Sequence, residues 1–355
     1  MDLVVMAGTI GPEAPWTNGC PRTLLPLWAG RTLLHSLLDR FEDLPGSMSA
    51  VCANGHTDLI AFHTAGRRSQ RRLVLFEDGV PRGAAGCLKA VAPLLTSETL
   101  FAACGSVWMD DDPHWMLEQH RAGGNALTVF CTPADGPQAE GRIKLTPAGV
   151  YCCERAALEC IRPTGYQDLK EQWIPALQEA GLRVGAVVLP GQTREILAWS
   201  AYLRVLEQAL SNHALVREGD QEVAPGVWYG EGVHVAPTAR IVGPARLEKG
   251  CSIAENALVV GPVILGEGSR VGRGAWLVRV VSPRRIDVPP GSCVADRLIP
   301  SHDMLVHPKG IRCIDHPAGM AIRFRPGDVL SDQRPTSSDR FPSSGVLPST
   351  PAEHS

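Results

Sequence analysis

The residues best placed to do chemistry come early in the chain. Leu3-Val4-Val5-Met6 is an apolar run whose length suits one buried strand of a parallel sheet. Ala7-Gly8-Thr9 follows, where such a strand turns into a loop. In α/β folds that loop lies at the carboxyl edge of the sheet, where ligands bind. A glycine there lets the backbone come close and offer N–H donors to an anion. Other reactive side chains promise less. The eleven cysteines are scattered without a C-x-x-C pair, so they predict reduced, buried thiols rather than zinc ligands. Asp110-Asp111-Asp112 stand just before Pro113-His114-Trp115-Met116-Leu117, where an acidic turn would cap a helix.

These positions need elements to hold them. A helical pattern runs from Thr32 to Phe41, and Ser49–Ala53 reads as a second strand. Thr57–Thr64 reads as a helix, Leu73–Phe76 as a third strand, and Thr99–Cys104 as a central one. Ala126–Cys131 and Val184–Leu189 are further strands, with a helix from Tyr166 to Leu177 between them. Strands alternating with helices predict a parallel sheet. The 355 residues suffice for two domains, and 44% hydrophobic with 20% charged residues supports a sizeable core. A net charge of −3 without a basic run argues against a nucleic-acid partner. No basic n-region with a cleavage site opens the chain, and no apolar run reaches the ~20 residues of a membrane span. A cytoplasmic protein without membrane contact is expected.

The order strand, glycine loop, Pro21-Arg22-Thr23-Leu24-Leu25-Pro26, helix resembles the opening of the sugar-1-phosphate nucleotidyltransferases, the nucleotide-sugar pyrophosphorylases. Their pattern is G-x-G-T-R-L-x-P-L-T followed by P-K-x-L-L-P. Gly8, Pro15, Thr17, Pro21, Leu25 and Pro26 fall where it puts them. The second glycine is Ile10, the arginine Pro12 and the lysine Arg22. The resemblance implies a Rossmann-like α/β nucleotidyltransferase domain in which Ala7, Gly8 and Thr9 bind a nucleotide. In that family a sugar phosphate oxygen attacks the α-phosphate of a nucleoside triphosphate, with Mg²⁺. Pro12 supplies neither charge nor N–H, which leaves Arg22 as the catalytic candidate. Losing a cation of this kind costs ~10³–10⁵ in rate in phosphoryl-transfer enzymes.

Further segments extend the resemblance. Pro81–Leu88 is similar to P-x-G-T-A-G-A-L, and places Gly83 and Gly86 against the nucleotide base. The same glycines also suit a helix packed close to a sheet. The family's metal-holding G-D becomes Gly105-Ser106, with Asp110 close enough to compensate. Its second metal aspartate, in D-I-G-T-P-E-A-Y-L, becomes Glu195. The metal set implied is thus Ser106, Asp110 and Glu195. Thr132–Pro147 replaces a longer excursion carrying E-K-P, and Ala148-Gly149-Val150-Tyr151 matches N-A-G-I-Y. Lys144 and Gly149 are the implied sugar-binding positions.

Beyond a polar stretch at 211–222, read as a linker, the sequence changes character. Val235, Ile241, Leu247, Ile253, Val259, Leu265, Val271 and Leu277 recur every six residues. Four places after each stands a residue that is most often small: Ala239, Ala245, Cys251, Ala257, Val263, Ser269, Ala275 or Val281. This is the hexapeptide repeat of a left-handed parallel β-helix, three hexads to a coil and about three coils. After Ser282 the pattern fades, and Ile286–Val294 reads as a last irregular coil. The predicted division is 1–212 α/β domain, 223–300 β-helix, 301–330 irregular cap and 331–355 disordered tail.

Three functions follow. The charge-handling positions Pro12, Arg22, Ser106 and Glu195 are altered together while framework residues stay. That favours a regulatory or scaffold paralogue that binds a nucleotide or nucleotide sugar with weak or no catalysis. Such a protein would form a homo-oligomer, or a hetero-oligomer with an active paralogue. The alternative is an active sugar-1-phosphate nucleotidyltransferase using Mg²⁺. A third reading is a hexapeptide acyltransferase with His234, His302 or His307 as general base.

Overall fold

The structure is a computed structural model and describes residues 1–8, 14–27, 30–46, 48–78, 82–134, 144–211, 219–301 and 322–323. The first unit is a seven-stranded sheet. Its strands are β1 (Asp2–Met6), β2 (Met48–Ala53), β3 (Arg72–Glu77), β4 (Thr99–Cys104), β6 (Leu127–Pro133), β7 (Leu145–Glu154) and β8 (Val184–Val188). A two-stranded ribbon outside the sheet joins β5 (Val107–Trp108) to β9 (Arg194–Glu195). The sheet order is β3-β2-β1-β4-β7-β6-β8. β7 alone runs antiparallel to its neighbours. The chain winds outward from β1 through β2 to β3, then returns to lay β4 on the other side of β1. That reversal beside β1 is a topological switch point, and the crevice outside the carboxyl ends of these strands is where an open α/β sheet takes a ligand.

Each sheet face is dry because consecutive side chains alternate. Leu3 and Val5 join Val51, Phe101 and Ala103 under α1 (Leu33–Arg40), α2 (Thr57–Thr64) and α4 (Pro113–Gly123). Val4 and Met6 join Cys52, Leu100 and Ala102 under α3 (Gly83–Val91) and α5 (Ile174–Glu179). Continuous burial along β1 and β2 is what covering on both faces requires.

Helix α6 (Trp199–Ser211) leads out of this unit. It buries Ala201, Tyr202, Val205, Leu206 and Ala209 on one stripe. Beyond it, short parallel strands stack in three columns. Val227, Ala245 and Val263 pair in turn, as do Val235, Ile253 and Val271, and Ile241, Val259 and Leu277. Each partner lies eighteen residues on, which is three hexads. The aliphatic positions of the hexads point inward, and Leu247, Ile253, Val259, Leu265, Val271 and Leu277 are buried with Cys251, Ala257, Val263 and Ala275 between them.

Two details differ from expectation. The 211–222 stretch is not wholly a linker: α6 includes Ser211, and Gln221–Ala224 is a strand antiparallel to Val227–Tyr229. The region after Ser282 is more regular than the fading hexads imply. Ile286–Val288 and Cys293–Leu298 pair parallel with the turn before, but seventeen residues on, as in Val271↔Val288 and Trp276↔Cys293. One residue is lost where the earlier turns have Gly243-Pro244 and Gly261-Pro262. In phase with them stands Arg279, in the left-handed region at φ 51°. Of the expected cap, Ile322–Arg323 pairs with Ile286 and Asp287. Residues 302–321 and 324–330 of the cap, with His302 and His307, and the 331–355 tail lie outside the described residues. Among the described residues no helix is long and apolar enough to cross a membrane.

The stack rests on the α/β unit through one column. Trp228, Ile264, Val281 and Leu298 enter the same cluster as α1 and α6. Trp228 Nε1 donates to the Leu210 carbonyl at 2.9 Å. Trp199 packs on Trp16 at 5.9 Å between centroids and donates to Asp296 Oδ1 at 3.1 Å.

Candidate functional site

The switch-point crevice holds a cleft of about 210 Å³. Four strand ends build it: Met6, Ala7 and Gly8 after β1, Cys52 to Asn54 from β2, Asp78 after β3, and Cys104 and Ser106 from β4. Arg22, the Arg82–Gly83 start of α3, Tyr166, Asp168 and Glu195 complete it. Ala7, Gly8, Arg22, Gly83, Ser106 and Glu195, singled out in sequence far apart, thus come together. Thr9, with Ile10 and Pro12, lies outside the described residues.

Glu195 arrives through the β5–β9 ribbon, opposite Val107, and Ile196 N–H donates to Ser106 O at 2.8 Å. Ser106 Oγ donates to Glu195 Oε1 at 3.0 Å. Two of the three positions implied as metal ligands are therefore hydrogen-bonded to each other. The Cys104 thiol lies beside the same carboxylate, and burial followed by that carboxylate raises its pKa. Burial, then the bond to Asp78, pushes the Cys87 thiol up to about 12. Such thiols stay protonated and are not nucleophiles.

Asp110 is not in this cleft. Its carboxylate accepts from Gln192 N–H at 3.1 Å and stands 3.7 Å from Arg40 Nη2. Asp111 accepts from Gly191 N–H at 2.6 Å and Thr193 N–H at 3.3 Å, while Thr193 Oγ1 accepts from both aspartate amides. The acidic turn ties down the segment that delivers Glu195, and its last member, Asp112, caps α4 through His114 N–H. Mg²⁺ takes carboxylates together with phosphate oxygens. Ser106 offers a hydroxyl that already spends its proton on Glu195. Among the described residues no three His, Cys, Asp or Glu are grouped to hold a metal. The residues present fit a resident Mg²⁺ poorly.

Gly83 and Gly86 serve close packing as well as the cleft. Gly83 has φ 75°, and a Cβ there would stand 2.4 Å from Gln167 O. That carbonyl accepts from Ala85 N–H and Gly86 N–H. Gly149, at φ 81°, lines neither cleft; a Cβ would meet Val107 Cγ2 at 2.7 Å and Glu195 Cβ at 3.4 Å. It lets β7 pass beneath the ribbon. Lys144 lines a second cleft of about 730 Å³, with Gln192, Arg194, Leu197, Arg204 and the other side of Glu195. His234 is exposed on the stack and lines neither cleft.

Sequence reasoning missed Asn54, Asp78, Arg82, Tyr166 and Asp168. The available signal was position: Asn54 follows β2 and Asp78 follows β3, the two strands on one side of β1.

No family model and no curated protein matches this chain. Among solved structures it is similar to HddC from Yersinia pseudotuberculosis, at 14% identity and a TM-score of 0.49, over 58% of this chain and 98% of that one. The same figures hold for HddC complexed with GMP-PN. It is also similar to a protein assigned as a glucose-1-phosphate thymidylyltransferase from Bacillus anthracis, at 12% identity and a TM-score of 0.49, over 59% and 94%. A likeness of that extent decides neither fold nor activity. The α/β assignment rests on the strand order and registers above.

Proposed function

We propose that the protein binds a nucleotide or nucleotide sugar in the switch-point cleft, as a relative of the sugar-1-phosphate nucleotidyltransferases with weak or no catalysis. One observation carries this reading: residues matched to separate family motifs, Gly8, Arg22, Gly83, Ser106 and Glu195, line one cleft. The Lys144 cleft, which shares Glu195, is the place for a sugar. The paired Ser106 and Glu195 support weak catalysis, because one carboxylate replaces two at the metal positions. We read residues 223–300 as a left-handed parallel β-helix, supported by the eighteen-residue registers, and the cytoplasm as the location. Assembly belongs to the same proposal, as a homo-oligomer or with an active relative. The outward row Val242, Val260 and Val278, with half-exposed Trp276 beside it, supports it.

The test is direct. Purified protein is titrated calorimetrically with nucleotides and nucleotide sugars, then assayed for pyrophosphate release from each nucleoside triphosphate with Mg²⁺ and sugar 1-phosphates. Binding without appreciable release is expected. Release at ordinary turnover, abolished by Glu195→Gln, would establish the active enzyme instead.

A further inference from the structure

We propose that Arg82 is the anion-binding cation of the cleft, positioned by Asp78 and directed at the diphosphate of a bound nucleotide. The assignment deepens the nucleotide-binding reading and rests on it for the identity of the ligand.

The Asp78 side chain is only 5% exposed, although it lines a cleft. Burying a carboxylate is costly unless it is paired and hydrogen-bonded. Asp78 is held by its own N–H, which donates to Ala53 O at 2.7 Å. Its Oδ1 accepts from Arg82 Nε at 3.0 Å and its Oδ2 from Cys87 Sγ at 3.3 Å. Arg82 is fixed at the backbone too, since its carbonyl accepts from Gln167 N–H at 2.7 Å. A guanidinium carries five donors in a rigid fork. Asp78 engages only Nε. Among the described residues both Nη groups have no partner, and the side chain is 42% exposed. The buried acid thus orients a half-exposed arginine.

Cations are outnumbered in the cleft lining. In the sequence, Thr9-Ile10-Gly11-Pro12-Glu13 after Gly8 contains no Lys or Arg and one Glu. Arg22 and Arg82 are the two cations lining the cleft, against Asp78, Asp168 and Glu195. A polyanion entering a cleft of about 210 Å³ would face unfavourable carboxylates unless a fixed cation met it. The two Nη groups on one planar fork match two phosphate oxygens, which a lysine point charge would not.

Inorganic pyrophosphate, a set of nucleosides and their 5′-diphosphates are titrated into the full chain and its variants. A charge-assisted fork should make the diphosphates bind ~10–100-fold tighter than the nucleosides. Arg82→Met in the Asp78→Asn background removes the pair without leaving a buried lone charge. It should erase most of that preference and most pyrophosphate binding, with nucleoside affinity little changed. Arg82→Lys should recover part of it. Asp78→Asn alone, which keeps the cation but loosens it, should fall between. Pyrophosphate binding unaffected by the double substitution, or equal loss for nucleoside and diphosphate, would overturn the assignment. If pyrophosphate binds through Arg82 but no nucleotide does, the nucleotide reading fails and Arg82 stands. If no probe binds the wild type, both fail.

Discussion

In the α/β unit, sheet neighbours come from distant parts of the chain: Leu3 pairs with both Ser49 and Phe101. In the stack, Leu247 pairs with Leu265, three hexads on, and the last turn pairs seventeen residues on, as in Leu265↔Ser282. The first unit must close long loops before any contact forms. The second adds one short turn at a time, so its stability is close to a sum over neighbouring turns. The cleft lies in the non-local unit, where residues from well-separated segments meet. The difference teaches that the regular region can be perturbed turn by turn, whereas a change in the α/β core should reach the cleft.

The largest effect is expected from Leu277→Asp. It places a charge at a fully buried position between Val259 and Val294, and should cost more than ~4 kcal/mol, enough to open the stack. Circular dichroism during denaturation should show the stack lost first, with the α/β transition retained. Simultaneous loss of both would break the comparison. Phe101→Ala empties a fully buried site edge-on to Phe41 at 5.0 Å. It should destabilise the α/β unit by ~3–5 kcal/mol and weaken ligand binding at ordinary temperature, which a melt with and without nucleotide checks. Gly83→Ala puts a side chain at φ 75° against Gln167 O. A cost of ~1–3 kcal/mol is expected, with loss of cleft binding and an unchanged stack; retained affinity would show that the α3 start is not part of the site.

The smallest effect sits where the units meet. Asp296 accepts from Arg279 Nε and Nη2 and from Trp199 Nε1. The Arg279 hydrogen bonds hold its carboxyl below the usual range despite partial burial. A lowered folded pKa gives stability that is present above the unfolded value near ~3.9 and lost as pH falls through the folded one. For a half-exposed pair this amounts to ~0.2–1 kcal/mol. Asp296→Asn should remove that much at neutral pH and nothing below the folded pKa. A larger neutral-pH loss would show that Trp199 and Trp16 transmit the change into the α/β unit.

Legibility followed the same division. Hexad phase is a local property, so Leu247 to Leu277 could be assigned inward from spacing alone. The one-residue slip at Arg279 could not, because it depends on how a corner without Gly-Pro meets the turn below. In the α/β unit, motif order singled out Gly8, Gly83 and Glu195, which the fold brings to one cleft. Asp110 was misplaced as a metal ligand, since only the fold shows its carboxylate spent on the Gln192 amide. Asp78 and Arg82 stand four residues apart, but both precede α3, so their pairing did not show in a helical pattern.

The chain by itself determined the alternation of strands and helices, the repeat, and the absence of positive charge in the loop after β1, because these are set by residue type and period. Only the tertiary structure decided that Ser106 meets Glu195, that the acidic turn braces the ribbon, and that Arg82 faces the cleft. Each of those depends on a reversal of strand order beside β1 that brings side chains from separate crossovers to one edge.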